Sequence, residues 1–242
     1  MASAGAANDA PPPDNYSGYV GAVASDAPRY PGSPHQREQL LPSGEIIYAR
    51  RYFASAIDGL GINVYQDAHW RVGAGVAFDG SYRHASDDAR LSGMGDIPSS
   101  LRARAFGRYQ NGAYTLGGSL AQDISGRGTG LVGEIDGALR WSLGGAASVS
   151  VGPGLTWGDA RYTQTWFGVG AGQGAASGLP AYRTGSGITS ERIRATLSYR
   201  LAPRWMMNLS VGRMRLTGVA ADSPVVERRN QGQGQFALIR SF

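Results

Sequence analysis

The sequence predicts an all-β fold: a transmembrane antiparallel up-and-down β-barrel of about twelve strands, with ten as the alternative count. Three observations predict it. Residues 190–201, "SERIRATLSYRL", place Ile193, Ala195, Leu197, Tyr199 and Leu201 at one parity and Arg192, Arg194, Thr196, Ser198 and Arg200 at the other. Successive side chains of a strand point to opposite faces, so one face is apolar and the other strongly basic. Trp70, Trp141, Trp157 and Trp205 each stand near a turn signal, as in the aromatic girdle of a membrane barrel. The chain stops on "QFALIRSF", with Phe236, Leu238 and the terminal Phe242 on one face. A soluble sandwich also alternates, but turns its apolar face inward. Charges in mid-strand, tryptophans at strand ends and an aromatic terminus together favour the barrel, whose apolar face meets lipid and whose polar face lines a wet interior.

The elements follow in order. Residues 1–15, rich in Ala, Pro and Asp, are expected to be disordered, and 16–242 to form the barrel. Strands are expected at 16–25, 45–56, 60–66, 69–82, 100–110, 113–122, 130–143, 146–157, 159–167, 190–201, 204–216 and 233–242. In "HWRVGAGVAF", Trp70, Val72, Ala74, Val76 and Phe78 oppose Arg71 and small residues; in "SLRARAFGRYQ", Arg102, Arg104 and Arg108 share a face. "GLVGEIDGALRWSL" sets Leu131, Ile135, Leu139 and Trp141 against Glu134, Asp136 and Arg140. Asn111-Gly112 and Gly144-Gly145 are hairpin signals. The weakest strands are 45–56 and 60–66, separated only by Asp58-Gly59, and 159–167, where neither face is purely apolar.

Composition agrees with this class. Glycine reaches 37 of 242 residues, cysteine is absent, and the net charge of +5 is carried by arginine alone. The missing thiols suit an oxidising compartment. No apolar run approaches the length of a membrane helix, and the opening "MASAGAANDAPPPDN" reads as the polar start of a mature chain whose export signal has been replaced by methionine. The basic balance does not point to nucleic acid, because the arginines alternate with apolar residues and form no aromatic-studded patch.

The polar faces supply the candidate site. Arg71, Arg102, Arg104, Arg108, Arg140, Arg192, Arg194 and Arg200 are expected to line the lumen, with Glu134 and Asp136 as the main counter-charges. Either these groups knit into ion pairs that fill a narrow barrel, or the excess arginine lines an anion-preferring pore for small solutes or acidic oligosaccharides. Trp70, Trp141, Trp157, Trp205 and Phe242 form the expected interfacial girdle. Arg213 and Arg215 continue the outward row of Trp205, Met207, Leu209 and Val211; they would meet lipopolysaccharide phosphates or snorkel to the interface. His35, His69 and His84 lack metal-ligand spacing. His84 and Ser86 are spaced like the His-x-Ser pair of an outer-membrane phospholipase, but Pro98 stands where that family has its orienting asparagine. No catalytic set, cofactor site or metal site is read, and a non-enzymatic protein is expected.

"RYPGS" (29–33), "LSGMGDI" (91–97), "GPGLTWGDARYTQTWFGV" (152–169), "SGLPAYRTGSGI" (177–188) and "DSPVVERRNQ" (222–231), with the terminal aromatic strand, occur in order along the chain. In combination they resemble the MipA/OmpV family of Gram-negative outer-membrane proteins. The resemblance implies an outer-membrane barrel that contacts lipid and lipopolysaccharide. For some members it implies a scaffold that holds a murein transglycosylase and a peptidoglycan synthase on the periplasmic side. It offers no catalytic residues. Counting strands outward from 16–25 puts loops 26–43, 168–189 and 217–232 outside. Loop 83–99, with Asp87, Asp88, Arg90 and Asp96, then falls on the periplasmic side as a candidate partner-docking element. That assignment depends on the Asp58-Gly59 turn.

Overall fold

The computed structural model describes residues 15–242. The expected N-terminal disorder, except for Asn15, lies outside the described residues. Twelve antiparallel strands close into one barrel, each pairing with its sequence neighbours and the first with the last. They are β1 (Tyr16–Pro28), β2 (Gln36–Tyr48), β3 (Tyr52–Ser55), β4 (Gly59–Gln66), β5 (Trp70–Asp79), β6 (Ser100–Asn111), β7 (Tyr114–Asp123), β8 (Leu131–Ser142), β9 (Ala147–Gly158), β10 (Gly187–Ala202), β11 (Trp205–Leu216) and β12 (Asn230–Ser241). Three helices, α1 (Ala160–Phe167), α2 (Ala171–Ser177) and α3 (Gly218–Ala221), lie in the longer connections.

The alternation sorts the side chains. Residues opposed across a ladder share a face, so Trp70↔Tyr109, Leu139↔Val151 and Leu209↔Phe236 form apolar outward pairs, while Arg71↔Arg108 and Thr196↔Ser210 point inward. The outward set stays exposed, with Phe78 at 67% and Ile135 at 59%. A water-soluble domain does not leave so large a continuous apolar surface uncovered. Closure of the barrel satisfies the ladder backbone within lipid, and no helix is long and apolar enough to cross a membrane.

The count of twelve agrees with the sequence, but two of the strands differ. Residues 159–167 form α1, not a strand. Asp159 caps it, with its Oδ1 accepting from the Tyr162 amide at 2.7 Å, and Tyr162, Thr163, Trp166 and Phe167 fall at helical spacing. Residues 45–56 are not one strand but the end of β2, a tight turn and β3. Ala49 and Arg50 both take positive φ, 49° and 57°, so the hairpin turns without the Asn or Gly that would have announced it. Residues 36–43, expected to lie in the loop 26–43, extend β2 along β1.

These two differences reverse the connections between them, loop 83–99 included. The Asp58-Gly59 turn exists, with Gly59 at φ +76°, but an extra strand precedes it. Loop 80–99 therefore leaves the barrel at the same end as 29–35, 159–186 and 217–229, opposite the short turns at 49–51, 67–69, 112–113, 143–146 and 203–204. The placement of 83–99 with the short turns is corrected. The loss of strand 159–167 restores the parity, so the loops after it keep their expected end.

Candidate functional site

The interior divides into two walls. On the β5–β6 side, arginines are paired. Arg71 reaches past β4 and β3 to Glu45 on β2, with Nη2 to Oε1 at 2.7 Å and Nη1 to Oε2 at 2.9 Å. Its guanidinium also lies over Phe53 and Phe106, at 5.2 and 5.4 Å from the ring centres. Arg102, 3% exposed, meets Asp79 through Nε at 2.6 Å and donates to Thr129 Oγ1 and the Gly130 carbonyl. Arg104 and Arg108 both meet Asp58, at 3.2 and 2.7 Å. Each buried charge there has a counter-charge, which is what makes a buried guanidinium tolerable.

The β8–β10 side differs. Arg192 stands 3.6 Å from Glu134 and donates to Thr156. Arg140, Arg194 and Arg200 point inward, are exposed, and join no ion pair among the described residues. Their neighbours are small and hydroxylic: Ser148 and Ser150 on β9, and Thr196 bonded to Ser210 at 2.9 Å. The expectation that Glu134 and Asp136 are the main counter-charges is corrected. Glu45, Asp58 and Asp79 take that role, and Asp136 joins no ion pair among the described residues. Glu45 and Asp79 stand at inward parity, a legible signal. Asp58 sits in a turn, where parity says nothing.

A lid covers the loop end. One apolar cluster joins Tyr30, Leu91, Met94, Val169 and Val225; a second joins Ile97, Trp166, Phe167, Leu216 and Ala220. Helix α1 lays Tyr162 and Trp166 among inward-facing Arg102, Arg104, Glu134 and Thr156. The helix is tied down by Ser223 Oγ donating to the Phe167 carbonyl at 2.6 Å and Arg83 Nη1 donating to the Trp166 carbonyl at 3.0 Å. Burial without a carboxylate partner lowers Arg83 to about 10. Burial, then Asp88 and Glu227 nearby, pushes the Tyr30 phenol up to about 12.

Loop 83–99 is part of this lid. Asp87 binds Arg37 at 2.7 Å; Asp88 caps Arg90 and lies 3.6 Å from His35; Arg90 lies 3.6 Å from Glu227. Asp96 accepts from the Ala85 amide, which holds its carboxyl below the usual range, and lies 3.3 Å from His84. The imidazole faces Asp96 and Tyr82, and no hydrogen bond joins it to Ser86.

On the outside, Trp70, Trp141, Trp205 and Phe242 stand at the short-turn end and Trp157 at the loop end, all exposed. Arg213 and Arg215 face outward at the loop end, across from Ile193 and Glu191.

Residues 20–242 match the family described as MltA-interacting protein MipA. The chain belongs to the MipA family. Among solved structures, an outer membrane channel of the COG4313 group from Pseudomonas putida F1 is 12% identical, with 98% of this chain and 99% of that one covered and a TM-score of 0.48. The NanC porin is 10% identical over 93% of this chain and 100% of that one, with a TM-score of 0.45. No curated protein matches. The family match and the closed barrel together make this MipA-family chain an outer-membrane barrel.

Proposed function

We propose that this MipA-family barrel is a non-enzymatic scaffold in the outer membrane of a Gram-negative cell. Its short-turn end would hold a periplasmic murein transglycosylase, the partner the family name specifies, and through it a peptidoglycan synthase. Short turns face the periplasm in such barrels and long loops face outward. The observation that carries the reading is the contrast between the two ends. The loop end is covered by a packed lid, whereas the turn end presents exposed Arg50, Arg51, Arg204 and Arg240, with Asp67 as the acid among the turns. Such a rim favours an acidic partner surface and speeds its encounter. The test is capture of purified transglycosylase by the detergent-solubilised barrel. Arg50→Glu with Arg51→Glu and Arg204→Glu should weaken capture at least about tenfold. Capture unchanged in that variant would sink the proposal.

One observation favours a second reading: Arg140, Arg194 and Arg200 face the lumen without ion pairs. In an anion-preferring channel they would raise the local anion concentration. Anion-selective steps in a planar bilayer that shrink in Arg192→Ala, Arg194→Ala would promote it. Under either reading, Arg213 and Arg215 are suited to meet lipopolysaccharide phosphates at the outer edge of the lipid belt.

A further inference from the structure

We propose that the barrel wall carries a lateral portal between β2 and β5, through which a single-chain anionic amphiphile enters the lumen from the membrane. This goes beyond the scaffold reading and does not rest on it. The first observation is in the strand ladder. β2 pairs with β1 along its whole length, Gln36 to Tyr48, but with β3 only from Glu45 to Tyr48. β3 is four residues long, and its partner β4 stops pairing with β5 at Leu60↔Val76. Beyond the 56–58 connection, among the described residues, no strand pairs with the second edge of β2 over 36–44 or with that of β5 over 77–79. Open sheet edges do not survive in hydrocarbon unless something covers or occupies them.

The second observation is what borders this notch. Its outward lips are apolar and exposed: Leu40 at 75%, Leu60 at 70%, Phe78 at 67% and Ile57 at 58%. Two cavities lie behind it. The inner one, about 280 Å³, is lined by Ile57 of the 56–58 turn and Phe78 as well as by inward-facing Arg102 and Glu134. The second, about 350 Å³, lies against Arg37, Gln39 and Leu41 on the inward face of β2. The inner cavity meets the lips at Ile57 and Phe78, and both cavities share Gly80, Ser81, Tyr162 and Trp166, so the two adjoin at Ser81 and the aromatic pair of α1.

The lining states the chemistry. Apolar lips suit an alkyl chain. The second cavity has Arg29 and Arg37 among its lining residues. Arg37 is paired with Asp87, whereas Arg29 donates to the Gln36 and Asp87 carbonyls and joins no ion pair among the described residues, so its guanidinium suits an anionic head, which it binds in a planar fork. Arg37 also fixes the flap over the notch, stacking on Tyr82 at 4.2 Å and binding Asp87. A long-chain carboxylate is therefore the probe.

The experiment uses the folded barrel in phosphatidylcholine nanodiscs with a diazirine-bearing palmitic acid, its photo-adducts mapped by peptide mass spectrometry. Adducts are expected on peptides carrying Gly80–Tyr82 and Tyr162–Trp166, besides those on the outward belt. Ser81→Trp, which narrows the shared passage, should cut the inner adducts about tenfold and leave the belt adducts unchanged. Wild-type adducts confined to the belt would overturn the proposal. Inner adducts undiminished in Ser81→Trp would overturn the lateral route in favour of entry from the turn end. Cross-links joining the β2 edges of two copies would overturn it in favour of strand pairing between barrels.

Discussion

Arg108 on β6 reaches past β5 to Asp58 in the β3–β4 turn, its Nη1 2.7 Å from Oδ2. Asp58 is only 1% exposed and also faces Arg104 on the same strand, so a turn carboxylate anchors two arginines of a strand that it does not pair with. Removing it leaves two guanidinium groups in a confined space without their counter-charge. Asp58→Ala should destabilise the folded barrel by about 3–5 kcal/mol, read from urea unfolding in detergent. A loss under about 1 kcal/mol would mean the pair is screened like a surface one.

The β2–β3 turn stores backbone strain. A non-glycine residue in the left-handed region costs about 1 kcal/mol or more, and Asn tolerates it best. Ala49→Asn should therefore raise stability by up to about 1 kcal/mol. A fall in the urea midpoint would contradict the turn geometry.

The lid should loosen in acid. Asp96 is held below the ordinary carboxylate range by the Ala85 amide. A group whose folded value is depressed contributes stability above its unfolded value, and that contribution is lost as pH falls through the depressed value. Protection of the Ala85 amide against hydrogen exchange, corrected for the intrinsic rate, should be full at neutral pH and fall away below about pH 4. In Asp96→Asn the same protection should be low and flat with pH.

The aromatics of α1 close the mouth, so removing them tests whether the lumen can conduct. Tyr162→Ala with Trp166→Ala should give larger single-channel steps than the parent barrel. If those steps are anion-selective, adding Arg192→Ala and Arg194→Ala should reduce the selectivity. A folded double variant with unchanged conductance would place the block elsewhere.

Much was legible from alternation alone. Arg71, Arg102, Arg104 and Arg108 stand at one parity and the large apolar residues at the other, because a strand has period two and lipid tolerates only one kind of face. The outward tryptophans and the terminal Phe242 followed from the same rule. The sequence could not show how the inward groups pair. Glu45 and Arg71 are 26 residues apart and meet only because the barrel closes.

Turn chemistry and helix capping marked the other limit. The hairpin at Ala49-Arg50 carries no turn signal, and the helix after Asp159 is short, so one strand was missed and one was added. The total survived while loop 83–99 changed ends, because each strand reverses the direction of the chain. By itself, the sequence determined the barrel, its two faces and its membrane setting, all of which depend on neighbours along the chain. Only the tertiary structure decided which arginines are paired, that the loops pack into a lid, and that the wall is thin at β3. These depend on contacts between residues far apart in sequence, and closure of the sheet creates them all at once.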